Sequence, residues 1–536
     1  MMKYEQPWIQ GLKMTLAIVI VFGVLFRLVN LDQKPYWHDE TYTSLRISGF
    51  KIEEVMQLFN GQIIDVEALR PYQQVSPEHG AIATIQRIAE EDSQHTPLYF
   101  VIVRAWAKLF GSSIVSLRSL SVLFSILALP FMYWLCVELF ALPLVGWMAT
   151  ALMATAPIYI RYAQEARPYS MWILLILITS TFLLKAIRQK TAVSWGIYAI
   201  AMIAALYCHV FSVLVLVSHG MYVLVVQRFR LTGAAIAYLM SASIAVLSFL
   251  PWLRVMWMSR ERLVLTTNWA KVPLPFTELV KSWSLNLCHA FVSIPSSSLN
   301  SVLIGLSAAI LLLIAGAVYY LQRRTRQVWI LLFALMGVTT AAFLLPDLVT
   351  AGRRSAVDRY FFICYLGIHL TVAYLLASQL VRNTTNLVRL RLWQVITVIL
   401  LSGSILSNVV TMQADTWWGW SEFDVEVAEQ INQSQQPLVI SDMPFGGIMP
   451  VGHRLHSNTK LLLLTEATVD ELQWTEHEFS DVFVYNPSDR LQSTLTRQGK
   501  ALTPIYQFRD NTLAIALYHV QPSDTKIGTA HQTIAF

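Results

Sequence analysis

Along most of this chain the apolar positions neither alternate nor recur every third or fourth residue; they run in long blocks. About 20 mostly apolar residues are what a helix needs to cross the hydrocarbon core of a bilayer. Candidate spans are 12–31, 119–138, 143–160, 169–187, 194–207, 209–226, 234–258, 301–321, 327–347, 360–380 and 392–411. The pair 194–226 consists of two short halves that meet at Cys208-His209. The first block ends at Arg27-Leu-Val-Asn30, with no small-residue cleavage site, so it reads as a span and not a cleaved signal.

Polar residues between the blocks set the orientation. Lys3 and Lys13, Lys185, Arg188 and Lys190, Arg228 and Arg230, Arg323, Arg324 and Arg326, and Arg382, Arg389 and Arg391 fall on one side if eleven spans cross. The positive-inside rule makes that side the cytoplasm. The loop 32–118, the turn 161–168, the loop 259–300, the turn 348–359 and the tail from 412 then lie outside. The segment His95–Phe110 is apolar but short and interrupted by Arg104 and Lys108, so it is expected to lie at the interface without crossing. Were it to cross, Lys185, Arg188 and Lys190 would move outside.

Two patterns depart from the blocks. In the first exterior loop Ile52, Val55, Met56 and Phe59, and again Ile82, Ile85 and Ile88, recur at helical spacing. Both read as amphipathic helices on the membrane surface. After Met412 the pattern becomes that of a small α/β domain. A helix is expected over Glu422–Gln433, and strands over Pro437–Asp442, Lys460–Thr465, Asp481–Tyr485 and Thr512–Tyr518. The predicted architecture is a polytopic α-helical membrane domain over 1–411, with about eleven spans (eleven to thirteen), and an extracytoplasmic α/β domain over 412–536.

Composition agrees with that reading. The 536 residues are 55% apolar and 13% charged, against about 25% charged in soluble domains. The net charge of +6 is unevenly spread. Residues 32–96 hold 11 acidic against 5 basic side chains, and 412–536 hold 15 against 7. The basic excess therefore belongs to the membrane part and gives no reason to expect nucleic acid. Four cysteines rule out a disulfide scaffold, and Cys136, Cys208 and Cys364 read as small buried apolar residues.

Three exterior clusters could carry chemistry. The first is Tyr36-Trp-His-Asp-Glu-Thr-Tyr-Thr43, where Asp39 and Glu40 follow His38 at the end of the first span. A carboxylate in a partly apolar site can act as a base; the competing reading is a solvated helix end. The second is Ile160-Arg-Tyr-Ala-Gln-Glu-Ala-Arg-Pro-Tyr169, in which Glu165 lies between Arg161 and Arg167. An interfacial ion pair is the plain alternative there. The third, Arg353-Arg-Ser-Ala-Val-Asp-Arg-Tyr360, puts three arginines on the outer face against the positive-inside bias. Arginine holds phosphate in a fixed fork, and lipid phosphate is the local anion. His209 stands alone at a helix end. Trp417, Trp418 and Trp420 suggest an interfacial aromatic belt or a sugar-stacking platform.

Asp39-Glu40, His95-Thr-Pro-Leu-Tyr99, Gln164-Glu-Ala-Arg-Pro-Tyr-Ser170 and Asp358-Arg-Tyr360 occur in that order. The ordered set resembles the integral-membrane glycosyltransferases of the C-type (GT-C) fold, especially the branch of protein O-mannosyltransferases and lipid A aminoarabinose transferases. The resemblance covers roughly 1–380 and is best over 30–190. It implies a polyprenyl-phosphate-sugar donor used on the exterior face, with inversion at the anomeric carbon. It makes Asp39 the general base, Glu40 its neighbour, and Glu165 the acidic position of the second loop. Its motifs put His95, Tyr99, Arg167, Tyr169, Arg359 and Tyr360 among the candidate substrate-binding residues, to which the residue clusters themselves add His38 and His209. The chain has His95-Thr-Pro97 where the mannosyltransferases have His-Pro-Pro, and the acceptor is left open as a glycan, a lipid or a protein.

Elementary chemistry is consistent with this. A lipid phosphate is already a good leaving group, so the protein need only deprotonate an acceptor hydroxyl and stabilise phosphate charge. No Gly-rich loop for a nucleotide sugar is present. Asp39, Glu40 and His95 could hold a divalent metal, but no ligand spacing is diagnostic. A transporter or flippase of a lipid-linked substrate is the alternative class; such proteins carry ionisable groups within their spans, whereas here the carboxylates sit at span ends. The expected location is the plasma or inner membrane, with the N-terminus cytoplasmic.

Overall fold

The computed structural model describes residues 7–140, 142–293, 300–382, 386–418, 421–475, 478–509 and 514–521. By packing these form two units, one of residues 7–34 and 79–418, the other of 35–78 and 421–521. Hydropathy alone assigns 35–78 to the membrane part; packing groups it with the tail.

The first unit is helical. Eight of its helices are long and apolar enough to cross a membrane: Trp8–Leu28, Ile114–Phe140, Tyr169–Gln189, Gly233–Met258, Ser301–Arg324, Arg326–Thr350, Asp358–Arg382 and Leu387–Gln413. A ninth is the pair Pro143–Thr155 and Pro157–Ala163, bent by 61°. Ala192–Cys208 and Ser212–Val226 are apolar but only 17 and 15 residues long. Length and composition thus give eight spans or nine, and eleven only if both short helices cross. The segment expected at the interface is the helix Pro97–Phe110, whose 14 residues fall short of a crossing. Its Arg104 is buried and donates to the His79 carbonyl.

Arg27 pins three helices together. Its buried guanidinium donates to Gly23 O at 2.7 Å, Ser125 Oγ at 2.8 Å, Met153 O at 3.2 Å and Ala154 O. Gly23 permits this approach, because a Cβ there would lie 2.5 Å from the Ala154 carbonyl carbon. Small residues at helix crossings serve this purpose in membranes. Arg118 donates to the carbonyls of Leu31 at 2.7 Å and Lys34 at 3.1 Å, which fixes the chain where it leaves the first helix. Lys34 in turn donates to Thr411 O at 2.6 Å and to Ala414 O. Burial pushes its ammonium pKa down to about 8, against the opposing pull of Asp415.

The second unit is an α/β sandwich on a six-stranded sheet. The strands are β1 (Ile63–Asp65), β2 (Pro437–Ser441), β3 (Lys460–Leu463), β4 (Asp481–Tyr485), β5 (Ala501–Arg509) and β6 (Ala514–Gln521). Their order is β1-β3-β2-β4-β6-β5; β2 runs parallel to β3 and β4, and the other pairings are antiparallel. Alternate side chains feed opposite faces, as the two-residue repeat requires. Val439, Leu461, Phe483 and Leu517 join one core, and Ile440, Leu462 and Val484 the other.

Three expectations change here. Val55 and Phe59, read as a membrane-facing stripe, are buried in the first of these cores with Leu45, Val66 and Leu69. An amphipathic repeat states that one face needs cover, and here the tail's sheet provides it. The loop also supplies β1, at three residues too short to show a strand pattern of its own. Strand β5 is not among the expected strands; its Pro504 is tolerated because β5 is an edge strand with a register shift at Pro504/Tyr506.

Candidate active site

In the first unit the site grows from the break at Ala156. Pro157 lacks a backbone N–H, so the helix stops and restarts at another angle. The restarted piece, Pro157–Ala163, carries Arg161 and Tyr162, and the turn 164–168 returns the chain into Tyr169–Gln189. Gln164 anchors that turn by donating to Phe26 O and Val29 O, both at 2.8 Å.

Arg161 joins two carboxylates. Its Nε donates to Glu165 Oε1 at 3.0 Å and its Nη1 to Asp358 Oδ2 at 3.2 Å. Asp358 also accepts from the Tyr162 hydroxyl at 2.6 Å and the Arg359 amide at 2.7 Å. Arg161 and Glu165 are buried, 3% and 2% exposed, so the pair is shielded from water. Glu165 is thus ion-paired with Arg161. Arg167, the other flanking arginine, meets His95 instead, Nη2 to Nε2 at 3.1 Å.

The remaining predicted residues of this unit fall around these groups. Tyr99 is wholly buried, its hydroxyl 3.1 Å from Ser121 Oγ, which itself donates to the Arg167 carbonyl at 3.4 Å. Tyr99 therefore props the Arg167 backbone. His209 stacks on Trp172 at 4.2 Å, with Tyr169 at 5.9 Å. Tyr360 meets Phe211 edge-on at 5.0 Å, and the half-buried Arg359 lies beside the Tyr360 ring. Of the other arginines in this cluster, Arg354 is 3.4 Å from the buried Asp347 and Arg353 donates to Val272 O at 3.4 Å.

Trp417 and Trp418 do not form an outward-facing belt. Trp417 is buried with the Lys34 ammonium 5.3 Å from its ring. Trp418 stacks on His289 at 3.6 Å and has the Arg161 guanidinium 5.1 Å from its ring. Buried cations recruit these rings. Trp420 lies outside the described residues. His289 ends the helix Phe276–His289, and burial pushes its imidazolium pKa down to about 3, against the pull of Asp358. The ring is neutral.

In the second unit, His38, Asp39 and Glu40 open the helix His38–Ser48. Carboxylates in a first helical turn are favoured by the helix dipole. His38 is exposed, Asp39 half-buried and Glu40 fully buried. The His38 Nδ1–H donates to Gly446 O at 2.9 Å. Among the described residues, no three His, Cys, Asp or Glu side chains gather as a metal cage.

Sequence reasoning missed Tyr162, His289, Trp172 and the structural part played by Asp358. A signal existed for Asp358: it is the one acid in the Arg353–Tyr360 cluster, so an arginine partner was to be expected. His289 had none, because a lone histidine in a long loop carries no pattern.

The profile of the family described as dolichyl-phosphate-mannose-protein mannosyltransferase matches residues 94–257. No curated protein sequence matches the chain. Among solved structures, the chain is similar to the Archaeoglobus fulgidus oligosaccharyltransferase complexed with zinc and sulfate, at 10% identity and a TM-score of 0.48, over 94% of this chain and 72% of that one. It is also similar to ArnT from Cupriavidus metallidurans bound to undecaprenyl phosphate, at 14% identity and a TM-score of 0.45, over 94% and 97%. The same ArnT in its apo state gives 13% identity and a TM-score of 0.47, again over 94% and 97%. The family profile spans His95, Arg161, Glu165 and Arg167, and over 94–257 the chain is similar to that family.

Proposed function

We propose that this chain transfers a sugar from a polyprenyl-phosphate donor to a hydroxyl of an extracytoplasmic glycan, lipid or protein, with inversion at the anomeric carbon. The observation that carries the reading is the buried Arg161–Glu165 pair, extended to Asp358, inside the segment matched by a family described as dolichyl-phosphate-mannose-protein mannosyltransferase. Asp39 takes the proton of the acceptor hydroxyl. The oxygen then forms its bond to the anomeric carbon from the face opposite the phosphate, and the bond from that carbon to the phosphate oxygen breaks. The polyprenyl phosphate leaves with the bonding electrons, and arginine guanidiniums offset its charge. Glu165 and Asp358 fix the Arg161 fork and set the local field. The distribution of Lys and Arg supports an exterior site, with the N-terminus in the cytoplasm and the tail outside.

The test uses the purified full chain in lipid with a panel of polyprenyl-phosphate sugars and membrane extracts as acceptor. Mass spectrometry should find free polyprenyl phosphate and a product heavier by one sugar. Failure to consume any donor would overturn the reading.

A further inference from the structure

The second unit holds a socket for the helix that carries Asp39. Gly446 and Pro450 lie in the helix Phe445–Gly452. In a regular helix the carbonyl of residue 446 would accept from the amide of residue 450. Proline has no amide hydrogen, so the Gly446 carbonyl is left to another donor, and the His38 Nδ1–H takes it at 2.9 Å. Gly446 also makes room. A Cβ there would come within 2.5 Å of His38 Nδ1 and 2.8 Å of Tyr42 Cε2, closer than side chains pack. The two sequence features, a glycine and a proline four residues later, thus expose a carbonyl and clear the space for a ring to reach it.

Further contacts hold the same helix. Tyr42 meets Phe445 edge-on at 5.3 Å, and Tyr36 meets His453 at 4.9 Å. Gln73 donates to Thr41 O at 3.2 Å, while its side-chain oxygen is 3.1 Å from His453 Nε2. Leu45, on the same helix, is buried among Val439, Phe445 and Ile448. His38 and Thr41 flank Asp39 and Glu40; His38 is tied directly to the tail's part of this unit, and Thr41 only through Gln73, which meets His453.

We infer that the tail domain is the positioning element of the Asp39 helix, with Gly446, Pro450 and His38 as positioning residues. This rests on the reading of Asp39 as the base. It gives the soluble domain a task in the reaction, to hold a carboxylate at fixed angle, where binding an acceptor alone would leave 35–78 free of it. Small displacements of a reacting group are costly in rate.

The experiment compares Gly446→Ala, Pro450→Ala, His38→Ala and the double variant Gly446→Ala/His38→Ala in the full chain. Hydrogen–deuterium exchange reads the helix directly, and transfer kinetics read its consequence. Exchange over 38–48 should rise in Gly446→Ala and Pro450→Ala while strands 437–441 and 481–485 keep wild-type protection. For Gly446→Ala, kcat should fall on the order of tenfold or more with donor KM within about twofold. In the His38→Ala background the same substitution should cost less than about threefold, since the clashing ring is gone. Unchanged exchange over 38–48, or wild-type kcat in Gly446→Ala, overturns the proposal. Raised exchange together with full activity of Asp39→Asn supports the anchoring and removes the base assignment instead.

Discussion

The Tyr162 hydroxyl donates a 2.6 Å hydrogen bond to Asp358, which lies 196 positions further along the chain. That bond steadies one of the two carboxylates, Asp358 and Glu165, that share the Arg161 guanidinium. Removing Asp358 leaves the buried Arg161 with Glu165 as its remaining carboxylate, so the loss is that of a charge-assisted hydrogen bond, on the order of 1.5–3 kcal/mol. Asp358→Ala should therefore lower the thermal midpoint in detergent sharply, Asp358→Asn less so, and Tyr162→Phe by an amount equivalent to about 1 kcal/mol. Equal melting of Asp358→Ala and the wild type would contradict the network.

Glu165→Gln keeps the shape of the Arg161 contact and deletes its charge. With Arg161 then less tightly held and the local field more positive, kcat should drop on the order of a hundredfold. Donor KM should change little, because no donor contact is assigned to Glu165. Single-turnover kinetics on the purified protein check the split between the two constants.

Asp424 offers a pH test within the second unit. It is buried in the helix Glu422–Asn432, and burial raises its carboxyl pKa to about 7 despite the Ser421 hydrogen bond and Arg454. Its unfolded-state value is near 3.9, so between about pH 4 and 7 the folded state binds the extra proton. Stability contributed by this group is therefore present below pH 4, falls as pH rises to 7, and is flat above. Asp424→Asn should remove that slope and protect the helix 422–432 at pH 8. Hydrogen exchange of this helix across the pH range is the measurement.

Gly23 lets Arg27 bring three helices together, so Gly23→Ala should destabilise by about 1–3 kcal/mol through overpacking. Gly11, with open space around it, should accept alanine without a shift in melting temperature. The paired melts separate a packing effect from a general effect of glycine in that helix.

The spans and the ordered motifs were legible because both are local: a hydrophobic block needs no partner to be recognised. Most tail strands were legible for the same reason, through runs such as Pro437-Leu-Val-Ile-Ser441. What escaped was set by distant pairing. The loop stripe at Val55 and Phe59 announced an apolar face without saying whether lipid or a sheet covers it. The strand Ala501–Arg509 carries Pro504, which fits only because the strand lies at the sheet edge, a position set by distant pairing. Arg161 had acidic neighbours in sequence, yet its second partner comes from a loop almost two hundred residues away. His38 read as a substrate ligand, whereas its Nδ1 is engaged by Gly446, a pairing that only the missing amide of Pro450 hints at.

Central to the account is Asp39 as the group that removes the acceptor proton. The direct measurement is transfer by Asp39→Asn in membranes supplied with a polyprenyl-phosphate sugar, followed by product mass spectrometry. The account expects kcat reduced by about 10²–10⁴, with the protein folded and donor binding retained. Transfer at the wild-type rate would contradict it.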